Sequence, residues 1–171
     1  GKGAHDDGAG VVQSIQVIRI YRALGIKPKR SIRAVAFMNE ENGRRGGNKY
    51  GELVKLKNEK HIAAIESDAG GFSPRGFSRS ATPEIKKIIK SWRPLLEPYG
   101  VYDFESDGSG VDIKPLLDMG VTCFELKPDS QRYFDYHHAA TDTFETVNKR
   151  ELELGGAAMA ALVWIISNNG F

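Results

Sequence analysis

Apolar residues recur at Val11, Val12, Ile15, Val17, Ile18, Ile20, Tyr21 and Leu24, a spacing that gathers them on one broad face of a helix over residues 8–24. Gly25 is placed to stop that helix. Pro28 then keeps the chain extended, and residues 31–38 (SIRAVAFM), rich in apolar and branched types over a strand's length, read as a strand. A polar turn over 39–47 leads into a helix expected at 48–59, and 61–66 (HIAAIE) reads as a short buried strand. Thr82 as cap and Pro83 at the first helical position open a helix over 82–98 that should run at least to Trp92. A short strand at 101–104, a helix at 112–119, a strand at 121–126 and a C-terminal helix at 149–167 complete the pattern. Strands alternating with helices predict an α/β fold with a mainly parallel, mixed central sheet covered by helices on both faces.

Length and composition narrow this to one domain over 1–171: 40% hydrophobic and 27% charged residues suffice for a single buried core. The 24 basic and 22 acidic side chains leave a net charge of +2, too small to argue for nucleic acid or an anionic membrane. The basic runs at 27–30 and 86–90 read as solvated faces. Cys123 is the one cysteine and sits in the apolar run VTCFEL, which excludes disulfide scaffolds and thiolate zinc clusters and favours a buried strand position. No apolar run is long enough to span a bilayer. The opening Gly1-Lys2-Gly3 is expected to lie inside a longer protein.

Candidate chemistry falls where such sheets place it, outside the carboxyl ends of the strands. Asp6-Asp7 precede the first helix, Glu40-Glu41 follow the strand ending at Met38, and Asp68 follows the strand ending at Glu66. Each acidic cluster alone is a helix cap or a solvated turn. Together at one sheet edge they would repel one another unless a cation or shared protons offset the charge. The stretch YFDYHHAATDT (133–143) adds a histidine pair in an aromatic setting. Carboxylates with imidazole and no thiolate suit a catalytic zinc site that leaves a position open for water.

In order, the segments GAHDDGAG (3–10), KPKRSIRAVAFMNEENGRRGG (27–47), ESDAGG (66–71), DGSGVDIKPLLDMGV (107–121) and YHHAATDTFETV (136–147) resemble the dinuclear zinc aminopeptidases. That family also contains glutamate carboxypeptidases, and the likeness is greatest to its plasma-type glutamate carboxypeptidase branch. The likeness spans nearly the whole chain, with 34 positions from Asp6 to Glu40 and 27 from Glu41 to Asp68. The resemblance implies that Asp6 bridges two zinc ions, that Glu41 and His138 complete one site, and that Asp68 serves the other. It implies Glu40 as general base, Asp7 as a supporting or capping residue, His137 and Asp112 as pocket residues, and His5 at a variable position. The implied activity is hydrolysis of peptides or dipeptides by an aminopeptidase or dipeptidase-type exopeptidase, in a parent protein exported to the periplasm or secreted.

The family's upstream His-x-Asp motif has no match here, so it and further sheet strands are expected before Gly1. One zinc then has the full set Asp6, Glu41 and His138, and the other only Asp6 and Asp68. Apolar surface left open by missing strands would favour self-association, making a homo-oligomer an expectation. The competing reading is a non-catalytic, truncated or degenerate domain holding at most one metal. A calcium or nucleotide module fits less well, because DDGAG and DGSG lack the spacing of a calcium or phosphate loop.

Overall fold

Gly25 does end the first helix: α1 (Gly10–Leu24) stops where Gly25 takes a left-handed backbone, φ 63°, and its N–H turns back to the carbonyls of Tyr21 and Arg22. The structure is a computed structural model describing residues 1–171. Its remaining elements are α2 (Arg45–Lys57), β1 (Ala63–Glu66), β2 (Pro74–Ser80), α3 (Pro83–Ser91), α4 (Arg93–Leu96), α5 (Lys114–Leu117), β3 (Thr122–Pro128), α6 (Tyr133–Tyr136) and α7 (Lys149–Asn169).

The sheet is mixed, in the order β1-β3-β2, with β1 parallel and β2 antiparallel to β3. Alternation along β3 sorts the two layers. Phe124 and Leu126 face the larger core with Val17 and Tyr21 of α1 and Met159, Leu162 and Ile166 of α7. Cys123 faces the smaller core with Val54 of α2 and Ile113 and Leu116 beside α5. The expected α/β fold with helices on both faces is therefore present. Tyr21 ties the two long helices together, its hydroxyl donating to the Ala160 carbonyl at 2.6 Å. No helix is long and apolar enough to cross a membrane.

Four departures from the expected pattern stand out. The helix expected over 82–98 ends at Ser91, after which Pro94 and Pro98 fit only short turns at Arg93–Leu96 and Glu97–Tyr99. The strand expected at 101–104 makes only an isolated bridge, Asp103 with Gly76. Strand β2 was not apparent, because its fully buried positions include Ser78 and Arg79 instead of apolar residues. The Arg79 guanidinium is satisfied by the carbonyls of Glu105 and Ser106 and by Asp107, at 2.5, 2.8 and 2.7 Å.

The fourth concerns residues 31–38, which join no ladder although their pattern is a strand's. Their side chains do pack in alternation: Ile32 lies against the larger core, and Arg33 and Phe37 lie on the other face toward Tyr50 of α2. What they lack is a hydrogen-bonded neighbour.

Candidate metal centre

Asp6 lies in the irregular turn Ala4–Ala9 that leads into α1. The buried carboxylate of Asp142 shapes that turn, accepting the backbone N–H of His5 at 2.6 Å and of Asp6 at 3.1 Å. Its own carbonyl accepts from Lys2 N at 2.8 Å. His5 points inward, stacked between Phe72 and Tyr136 at ring separations of 4.5 and 4.9 Å. Its Nδ1 accepts the N–H of Gly71 at 3.1 Å, and burial holds its pKa below the ordinary histidine value, so the ring is neutral. His5 thus braces the backbone after Asp68 and has no part in the ligand cluster. Asp7 turns to the helix: its Oδ1 accepts from Gly10 N at 3.0 Å, the capping role expected of it.

With the turn fixed, Asp6 Oδ2 lies 3.3 Å from Nε2 of His138 and 3.6 Å from Nδ1 of His137. Nε2 of His138 is also 3.1 Å from Oε1 of Glu41. His138 therefore touches both Asp6 and Glu41, but the group whose ligand atoms all lie within 4.8 Å of one another is Asp6, His137 and His138, and Glu41 stands outside it. His137, expected only to line the pocket, is nearly as close; its ring stacks on His138 at 3.9 Å and its Nδ1 is buried without a hydrogen-bond partner. His138 adopts a left-handed backbone, φ 54°, a conformation that costs a non-glycine residue about 1 kcal/mol or more. That turn lets both rings face Asp6.

Asp68 follows β1 without touching this cluster at hydrogen-bonding distance, and Glu40 likewise makes no side-chain hydrogen bond, so the second half of the expected ligand set is not gathered. Their charges are nonetheless close. Burial first, and then Asp6, Glu66 and Glu40, push the Asp68 carboxyl up to about 7. Burial and then Asp68 push Asp7 up to about 8. Burial raises Asp112 as well, followed by Glu40, and its Oδ1 is buried without a partner.

Two contributors escaped the sequence reading. In the sequence Asp142 is one polar residue of the stretch YFDYHHAATDT, and a carboxylate that works by accepting backbone N–H groups leaves no spacing pattern. Glu66 ends the run HIAAIE, and it accepts the N–H of Val111 at 2.8 Å and of Ile113 at 3.1 Å, pinning the loop that carries Asp112. Burial pushes its carboxyl up to about 7. An acid at the end of a buried strand was the available signal, since it needs donors there.

The residues fit a zinc ion. Oxygen and imidazole donors without sulfur are those of a catalytic site. Two ligand atoms of one tetrahedral zinc, each ~2.0–2.1 Å from it, lie about 3.3 Å apart, close to the separations of Asp6 from His138 and His137, 3.3 and 3.6 Å, and of Glu41 from His138, 3.1 Å. A cation would also offset the crowded carboxylates that now favour protonation and would use the unpartnered Nδ1 of His137.

Residues 1–163 match peptidase family M28. Carboxypeptidase Q of Mus musculus is 32% identical over 168 residues, covering 98% of this chain and 36% of the mouse protein. Carboxypeptidase Q of Homo sapiens is 30% identical over the same coverage, 98% and 36%. The crystal structure of a peptidase M28 precursor from Shewanella amazonensis SB2B superimposes with a TM-score of 0.90 at 32% identity, covering 100% of this chain and 39% of that one. The chain thus spans little more than a third of the length of the proteins it matches.

Proposed function

The chain belongs to peptidase family M28, and on that premise we propose that it is the catalytic domain of a zinc-dependent exopeptidase acting on peptides or dipeptides. The observation that carries this reading is the convergence of Asp6, His137 and His138, whose ligand atoms all lie within 4.8 Å of one another, with Glu41 3.1 Å from His138. Zinc held there would act as a Lewis acid, polarising the scissile carbonyl and lowering the pKa of water.

The roles of the chain's own groups follow. Asp6 and His138 would hold the ion, with Glu41 and His137 each within reach of one of them and Asp142 fixing the backbone that presents Asp6. The side chain of His138 is 57% exposed, which leaves the cluster open to substrate on that side. Glu40, partly buried and near Asp68 and Asp112, takes the proton from the attacking water and delivers it to the leaving amine. Asp68 would serve a second zinc, for which the family resemblance offers Asp6 alone from within the chain.

The test is hydrolysis of a dipeptide panel and of N-terminally blocked peptides by the intact protein, before and after zinc removal. Chelation should abolish turnover and zinc should restore it. Turnover indifferent to zinc would refute the reading. The non-catalytic alternative draws on the half-furnished second site, and turnover by residues 1–171 alone would exclude it.

A further inference from the structure

The chain contains two Asn-Gly pairs, Asn42-Gly43 and Asn169-Gly170. Glycine has no Cβ to obstruct it, so its backbone nitrogen can swing onto the side-chain amide carbon of the asparagine before it. Asn169-Gly170 is shut against this approach. Asn169 is the last residue of α7, and Gly170 is buried with its N–H donating to the Ile166 carbonyl at 2.9 Å. Asn42-Gly43 is open. Both residues are exposed, and apart from its chain neighbours no atom lies within 4 Å of where a Gly43 side chain would start. The Asn42 amide makes no hydrogen bond, the Gly43 carbonyl being met instead by the Asn48 side chain at 3.4 Å. The one restraint is a surface hydrogen bond from the Gly43 N–H to the Glu40 carbonyl at 3.0 Å.

The same turn carries Glu40 and Glu41, and it is closed tightly. The Glu40 carbonyl accepts from the N–H of Gly43 and of Arg44, the Asn39 carbonyl from Arg45 and the Met38 carbonyl from Gly46, at 3.0, 2.8, 3.3 and 2.9 Å. Asn39 and Arg44, on either side of the acidic pair, adopt left-handed backbones, φ 66° and 53°. Such strain persists only where surrounding contacts hold it. A longer backbone between Glu41 and Arg44 cannot be absorbed without breaking these hydrogen bonds.

We propose that Asn42 is a site of spontaneous deamidation whose isoaspartyl product disarms the turn bearing Glu40 and Glu41. The Gly43 nitrogen, its proton passed to water, bonds to Cγ of Asn42. The Cγ–Nδ2 bond then breaks, and Nδ2 leaves as ammonia with a proton taken from water. A second water opens the cyclic imide. Cleavage of the new bond gives aspartate at position 42, and cleavage of the original peptide bond leaves the chain running through Cβ and Cγ, longer by one methylene. Both products place a new carboxylate beside Glu41, and the second also lengthens the turn. The chemistry needs only water. Its effect on the site rests on the roles proposed for Glu40 and Glu41; the modification itself does not.

The experiment ages the intact protein in neutral buffer below its unfolding temperature, beside a free peptide with the sequence of residues 39–46. Peptide mapping by mass spectrometry locates each exchange of NH for O, and labelling by an isoaspartyl methyltransferase identifies the lengthened product. Asn42 should react within about tenfold of the rate in the free peptide, because one surface hydrogen bond is all that must open. It should also react at least about tenfold faster than Asn169, whose reaction requires the end of α7 to unfold. A wider gap from the peptide, or equal rates at the two asparagines, would overturn the proposal. Zinc affinity, measured by calorimetry, should fall at least about tenfold in the isoaspartyl fraction. It should hold steady through the same ageing in Asn42→Gln, whose longer side chain closes an imide ring far more slowly. An isoaspartyl fraction that binds zinc like fresh protein would overturn the effect on the turn. The readouts are mass and zinc binding, so a failed peptidase assay would count against the proposed function and not against this site.

Discussion

The carboxylate of Asp142 accepts the backbone N–H of Asp6 at 3.1 Å, across 136 positions of sequence. The residue that presents a ligand is thus fixed by a group from the far end of the chain, four residues beyond the histidine that shares the ligand role. A change at Asp142 should therefore be felt by the metal before it is felt by the fold.

Replacing Asp142 by Asn keeps the shape but leaves one oxygen to serve two backbone donors and adds a misplaced NH₂ in a buried position. Zinc affinity should fall about 10–100-fold, as for other groups that orient ligands. Titration calorimetry with zinc, alongside far-UV circular dichroism to confirm retained secondary structure, checks this. Unchanged affinity would remove Asp142 from the site.

Glu40→Gln keeps the shape of the proposed base and removes its proton acceptor. Turnover should fall at least about a hundredfold while zinc content stays the same. Active Glu40→Gln enzyme would show that another group moves the proton.

Zinc should bind to residues 1–171 in unequal steps, one ion held tightly by Asp6, Glu41 and His138 and a second weakly or not at all. Native mass spectrometry with a competing chelator counts them. Two tightly held ions per chain would mean that Asp68 has a partner not identified above, with His137 the first to examine.

Cys123 lies buried in β3, facing the smaller core, and burial pushes its thiol up to about 12 from an ordinary value near 8.5. The folded pKa is the higher one, so the contribution is intact below about pH 8.5 and is lost as pH rises from there toward 12, while the unfolded chain ionises and the folded chain does not. Stability should decline between pH 8.5 and 10 with a slope from this group of at most about 1.4 kcal/mol per pH unit. Urea unfolding of Cys123→Ala should show a shallower decline over that interval; an equal slope would mean that the thiol ionises in place.

What could be read from the sequence followed from how each feature is encoded. Helices α1 and α7 announce themselves because one face of each is apolar at helical spacing. Strand β2 does not, because Ser78 and Arg79 are buried in it and donate hydrogen bonds to Glu125 and to the loop at 103–107. Residues 31–38 carry a strand's alternation, yet a ladder also needs a neighbour, and no local pattern encodes one. Asp6, Glu41 and His138 were marked by their place in motifs. The closeness of His137 depends on the left-handed backbone of His138, which its sequence does not announce.

The contact between Glu41 and His138 joins positions 97 apart. During synthesis at about 5–20 residues per second, Glu41 would leave the ribosome roughly 5–20 s ahead of its partner. Through that interval the nascent chain has carboxylates but no imidazole from the His137-His138 pair, so any zinc it meets is loosely held and exchangeable. Tight loading can begin only once His138 has emerged, which makes metal capture later than the synthesis of the carboxylates that share it and its completion a report that positions 97 apart have found one another.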